Sequence, residues 1–206
     1  EMTENLANIV VHNNGSRMPV PGPLTAGEAL KRAGLDDTAF IAALVNNEER
    51  DLSTLLAGPV RFDVRGIVTA SPRGMKIYAR SLLLVLLAAL AERDIEPERL
   101  IVKNPLDYAI YCQLEGADAA EIRQIEAVMR QIVLEAWPIR REAIKREKAM
   151  VLFEGQGLAE RLPLLEQLER ETVVVYHCGQ ASDYLFGVMA PNAGCLKNFA
   201  VEPHQD

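Results

Sequence analysis

The stretch from Lys76 to Arg93, KIYARSLLLVLLAALAER, limits the folds open to this chain more than any other. Every residue between Leu82 and Ala91 is apolar. That run is about half of the roughly 20 residues a membrane span requires. It predicts a helix over 76–93 that is apolar nearly all round and buried on every side. Such a helix needs other elements to cover it. A chain of 206 residues, 49% hydrophobic and 25% charged, has enough apolar material to do so. Its length suits one large domain or two small ones, and its composition is not that of a disordered chain.

The flanking pattern predicts the covering elements. Ile9, Val10 and Val11 lead through an Asn-Asn-Gly turn into a second strand, the signature of a hairpin. In LTAGEALKRAGL, Thr25 is an N-cap candidate and Gly34 a C-cap candidate for a short helix. FIAALVNNEERDL reads as a strand, a turn at Asn46-Asn47 and a return. GPVRFDVRGIV alternates Val60, Phe62 and Val64, a last strand for a small β-rich unit over 5–70. TASPRG (69–74) reads as a linker. A second unit, 75–203, opens with the apolar helix. RLIVKNPLDYAIYCQLEG is a strand, a turn and a strand. Ile122, Ile125, Val128, Met129, Ile132 and Val133 recur at helical spacing. PIRREAIKREKAMVLFEGQG predicts an edge strand and a helix ended by Gly155 and Gly157, and LPLLEQL a short helix. TVVVYHCG is an apolar central strand, and residues 196–201 are expected to form a final one. The class is α+β, with a mixed sheet and helices on one face.

Charge and cysteine content narrow the functional classes. Net charge is -7, a poor basis for tight nonspecific binding of nucleic acid. Three scattered cysteines, Cys112, Cys178 and Cys195, with no CxxC pair, point to a reducing cytoplasm rather than a disulfide scaffold. Neither a phosphate-cradling GxxxxGK[ST] loop nor a Gly-rich dinucleotide fingerprint occurs. His12, His177 and His204 lack metal-ligand spacing. His177 and Cys178 are strand neighbours, so their side chains point to opposite faces. The basic stretch Arg140, Arg141, Lys145, Arg146 and Lys148 is either a solvated surface balanced by Glu142 and Glu147 or an edge for phosphate contacts. Asp107, Tyr108 and Tyr111 cluster at a strand turn, where one end of a Tyr can face a pocket.

The order of these pieces resembles the N-terminal half of threonyl-tRNA synthetase. VNNEERDLSTLLAGPVRFDVRG resembles the end of the ubiquitin-like TGS domain, and GMKIYARSLLLVLLAAL lies where that family's editing domain carries an Ile-Tyr-x-His-Ser segment and an HxxxH helix. DYLFGVMAPNAG resembles the family's Asp-x-Cys-x-Gly-Pro-His-x-Pro loop, and WPIRREAIKREKAMVLFEGQG another of its segments. The resemblance implies a TGS-like β-grasp domain over 5–70 and a threonyl/alanyl-tRNA synthetase editing-like α/β sandwich over 75–203. The four family residues that hydrolyse mischarged tRNA fall on Leu84, Ala88, Leu185 and Met189, so the hydrolytic groups are lost. The frame is kept at Asp183, Gly187, Pro191 and Asn192; Arg161 keeps the positive charge of a family Lys, and Arg80 stands where a family His precedes the Ser. Together, Arg80, Tyr111, Arg161, Asp183 and Asn192 are the residues expected to line a ligand cleft, smaller and drier than a working editing site.

IYARSLLLVLL and VYHCGQASDYLFGVMAPNAGCLKNF are also similar to the N-terminal regions of bacterial uridine-kinase-like, phosphoribulokinase-type proteins. That similarity implies a noncatalytic, ligand- or RNA-binding regulatory region whose kinase domain follows Asp206. ATP and Mg would belong to that domain, and neither a cofactor nor a metal to this chain. The implied partners are the kinase domain in cis, a nucleotide or tRNA, and a second copy in a homo-oligomer, with no membrane. The alternatives are a free-standing tRNA-binding or trans-editing protein related to threonyl-tRNA synthetase, and a domain that only tethers or dimerises.

Overall fold

The computed structural model describes residues 7–103, 110–159, 162–184 and 187–202. Contacts divide the chain into two compact units, Glu1–Tyr78 with Gly187–Pro191, and Ala79–Phe186 with Asn192–Asp206.

The first unit is built on a hairpin of β1 (Asn8–Asn13) and β2 (Ser16–Pro21). Asn14 and Gly15 between them have φ of 47° and 84°, the left-handed pair that a two-residue hairpin turn requires. Next come β3 (Leu24–Thr25), α1 (Ala26–Arg32), β4 (Phe40–Val45), β5 (Glu48–Arg50), β6 (Leu55–Leu56) and β7 (Arg61–Val68). Five of these strands form one mixed sheet in the order β2-β1-β7-β4-β5, with β7 parallel to β1 and antiparallel to β4; β3 pairs separately with β6. Strand alternation sends Ile9, Val11, Val20, Val45 and Val64 into a core shared with Ala26, Ala29 and Leu30 of α1. Val60, expected inside the last strand, lies just before it and is 52% exposed.

Thr25 caps α1 as its position predicts. Its hydroxyl accepts the Glu28 N–H at 3.2 Å, and the Glu28 carboxylate accepts the Thr25 N–H at 2.7 Å. The Thr25 N–H, and after it the Thr25 hydroxyl donating at 3.0 Å, hold the Glu28 carboxyl below the usual carboxylate range. The carboxylate's share of the cap is therefore present above that range and lost as pH falls through the lowered value, while the Glu28 N–H bond to the Thr25 hydroxyl does not titrate. Thr25→Ala is expected to cost about 1 kcal/mol in urea denaturation, with a smaller penalty in acid than at neutral pH.

Helix α2 (Pro72–Glu92) begins inside the expected linker. The Ser71 hydroxyl accepts the Gly74 N–H at 3.0 Å and donates to the Val68 carbonyl at 2.7 Å. Ser before Pro is a helix start here, because the hydroxyl serves the free N–H groups and proline needs none. Burial of α2 is one-sided rather than complete. Ile77, Leu84, Val85 and Ala89 are fully buried, while Met75 is 37% exposed and Leu82, Leu83 and Leu86 are half-buried. The helix is long and apolar enough to cross a membrane by length and composition, but more than half of its most apolar window is buried in the fold.

In the second unit, β8 (Leu100–Val102) pairs with β9 (Cys112–Leu114). Helix α3 (Ala119–Leu134) is capped by Asp118 and buries Ile125, Met129, Ile132 and Val133. Strands β10 (Arg140–Lys145), β11 (Thr172–Cys178) and β12 (Ala181–Asp183) form an antiparallel sheet with β11 in the centre. Helices α4 (Arg146–Gly155) and α5 (Leu162–Glu166) add Ala149, Phe153 and Leu165 to a core with Ile144, Val173 and Val175. The chain is thus mixed α and β, with a five-stranded mixed sheet in the first unit and a three-stranded antiparallel sheet in the second. Residues 196–201 form no strand. The Phe199 carbonyl accepts from Arg130 at 2.9 Å and its ring lies 4.7 Å from that guanidinium. A helix side chain, not a strand ladder, satisfies this segment.

Candidate functional site

Leu84 and Ala88 lie one turn apart on α2 and are 0% and 1% exposed. That i, i+4 spacing could place two ligands on one metal or one water, but neither side chain has a lone pair to offer. Among the described residues, no group of three or more His, Cys, Asp and Glu could hold a metal ion. Met189 is 1% exposed, and its backbone N–H reaches the Asp51 carboxylate at 3.3 Å. Leu185 and Arg161 lie outside the described residues, as do Asp107, Tyr108 and His204.

The remaining cleft candidates occupy unlike settings. Arg80 is half-buried on α2. Tyr111 is 41% exposed beside β9. Asp183 ends β12 at 1% exposure, and its carboxylate accepts the Tyr184 N–H at 2.7 Å. Asn192 is half-buried before the turn Ala193–Cys195, where its side-chain oxygen lies 3.8 Å from the Cys195 sulfur.

Strand register assembles a relay that spacing along the chain hides. His177 on β11 pairs with Arg140 on β10 and with Ser182 on β12. Its Nδ1 lies 2.7 Å from the Ser182 hydroxyl and its Nε2 3.1 Å from the Glu142 carboxylate. Serine, imidazole and carboxylate in hydrogen-bonded series are the parts of a nucleophilic triad. Here, however, Ser182 is 4% exposed and its hydroxyl also accepts from the Gln156 amide at 3.3 Å. A nucleophile must present its oxygen to substrate; this oxygen faces its own sheet. The relay satisfies the buried Ser182 hydroxyl, and its carboxylate end, Glu142, is exposed.

Cys178 points to the opposite face and is fully buried, as alternation from His177 predicts. Burial pushes its thiol up to about 11. At pH 8 the reactive thiolate is then about a thousandth of the thiol. Native protein treated with iodoacetamide at pH 8 should leave Cys178 unmodified, and all three cysteines should react in denaturant; mass spectrometry of the peptides checks this.

Two basic surfaces remain. On the edge strand β10, Arg140, Arg141 and Lys145 are exposed. Arg146 is held by the Leu168 carbonyl at 2.5 Å and Lys148 by Glu142 at 3.4 Å, so part of this charge is used within the fold. The other surface is an open groove of about 480 Å³ in the first unit, lined by His12, Arg17, Leu44, Asn46, Asn47, Arg61, Asp63 and Arg65. No residue of it was among the expected site residues. Its signal is the alternation RFDVR, which puts Arg61, Asp63 and Arg65 on the face opposite the buried Val64.

No family profile matches the chain. It is similar to threonine–tRNA ligase of Syntrophotalea carbinolica, 30% identical over 190 residues, which cover 89% of this chain and 28% of that enzyme. The enzymes of Bacillus velezensis and Thermotoga neapolitana are 30% and 26% identical, each match covering 77% of this chain and 25% of the enzyme. These relatives overturn the uridine-kinase expectation, and with it the ATP-binding and nucleoside-kinase functions attached to it: the proteins matched along most of the chain are tRNA ligases. The chain is homologous to the N-terminal region of threonine–tRNA ligases, and spans somewhat over a quarter of their length.

Proposed function

We propose that this chain is a tRNA-binding region of the threonyl-tRNA-synthetase type, with a TGS-like β-grasp unit followed by an editing-like unit that has lost its hydrolytic groups. Similarity to threonine–tRNA ligases along 89% of the chain carries this reading. Fully buried Leu84, Ala88 and Met189, at the positions where the family places its histidines, support binding without hydrolysis. Titration of the chain with fluorescently labelled threonine-specific tRNA should give a Kd of about 1–100 μM at moderate salt. An amino acid mischarged on that tRNA should be released no faster than in buffer. Absence of binding up to saturating protein ends the reading; deacylation above background would restore the trans-editing alternative.

A further inference from the structure

We infer that the groove on the outer face of the first unit's sheet takes the phosphodiester backbone of RNA, with Arg17 and Arg65 as the phosphate-contacting residues. The inference rests on the tRNA-binding reading and adds the surface that does the work.

Register places the groove's charges in rows. His12 on β1 faces Arg17 on β2. Val11 pairs with Val64 in the parallel ladder and Leu44 with Arg65 in the antiparallel one, so Arg65 continues the row from His12 across β7. Neighbouring strands stand about 4.8 Å apart, which sets Arg17 and Arg65 about 10 Å from each other at the backbone, with His12 between.

Neutralisation within the fold is uneven. The single carboxylate of the groove, Asp63, lies 2.6 Å from His12 Nε2 and 3.0 Å from an Arg61 guanidinium nitrogen. These hydrogen bonds, His12 first, hold its carboxyl below the usual carboxylate range. The acids on the adjoining strand are engaged elsewhere, Glu48 with Arg50 and Glu49 with Arg73. Arg17 and Arg65 have no acidic partner among the described residues, and both are exposed. On a chain of net charge -7, three guanidiniums around one occupied carboxylate make a local positive surface, and a polyanion is its complement.

The floor suits a backbone rather than a base. Asn46 is locked in place, donating to the Arg61 carbonyl at 3.2 Å and accepting the Asp63 N–H at 2.8 Å. Asn47 beside it is exposed at a φ of 67°, on the groove's rim, where its amide can donate to a phosphate oxygen. The groove has no Phe, Tyr or Trp ring on which a base could stack, and its one imidazole, His12, is tied to Asp63, so its recognition is of charge and not of sequence.

Arg17→Gln/Arg65→Gln tests this against Arg140→Gln/Lys145→Gln on the edge strand, with thermal melting to check folding. The groove variant should bind tRNA about tenfold more weakly, with the slope of log K against log salt reduced by about 1.5–2. Arg17→Lys/Arg65→Lys should recover most of the affinity, and the edge variant should bind as the unaltered chain does. If the groove variant binds normally, the inference fails while the tRNA-binding reading stands; loss confined to the edge variant moves the surface to β10. If the unaltered chain binds no tRNA, both fail together.

Discussion

Leu84→His is expected to destabilise the protein by about 3–6 kcal/mol and to produce no deacylation. Leu84 is completely buried on α2. Truncating a buried leucine's packing costs about 2–5 kcal/mol, and a buried imidazole without partners adds about 1–3 kcal/mol for its unmade hydrogen bonds. One turn on, Ala88 is 1% exposed, so Ala88→His must also force in a ring for which there is no space. A histidine at either position is costly here because, among the described residues, no group of three or more His, Cys, Asp and Glu could hold a metal that would repay it. Urea denaturation with an unchanged m-value measures the loss. A penalty under about 1 kcal/mol would mean that the position borders a hydrated cavity, and that the hydrolytic chemistry was lost without loss of its space.

Phe153→Ala should cost about 3–5 kcal/mol, a large share of the roughly 5–15 kcal/mol that stabilises a domain. The ring is 0% exposed and joins α4 to Ile144 of β10, Leu165 of α5 and Val173 and Val175 of β11. Its removal leaves a cavity among residues from four elements, and rigid strands cannot all close on it. Phe153→Leu keeps most of the volume and should recover more than half of the loss. Equal penalties for the two variants would show that the ring's volume is not what holds these elements together. Because Arg140, His177 and Ser182 lie in register on the same sheet, the alanine variant should also expose the relay. Accelerated amide exchange at Ser182, whose N–H donates to Gln156 at 3.2 Å, would report it.

The elements themselves were largely legible along the chain. Alternation gave away β7, apolar runs gave away β1 and β11, helical spacing gave away α3, and Thr25 marked a helix start, because these signals are local and act within one or two turns; the Asp118 cap of α3 came to light only in the structure. Misreadings arose where a local signal served a nonlocal end. Ser71-Pro72 resembled a linker and is a cap. Leu196–Val201 resembled a strand and is held by Arg130. The kinase resemblance rested on α2 and the loop after β12, whose apolar residues reflect burial and carry little information about activity.

Residue type alone determined that Leu84, Ala88 and Met189 perform no acid–base chemistry, since none has a titratable group. It determined also that Cys178 and His177 face opposite ways, since a strand alternates. Only the tertiary structure could decide that Asp183 is closed from solvent, that Ser182, His177 and Glu142 form a relay running from a buried hydroxyl to an exposed carboxylate, and that Arg17 and Arg65 share a row across three strands. These outcomes depend on which strands lie side by side and in what register, and on which acids are already taken. Both are set by cooperative packing of residues far apart in the chain, 51 positions for His12 and Asp63 and 138 for Asp51 and Met189, and no local pattern encodes them.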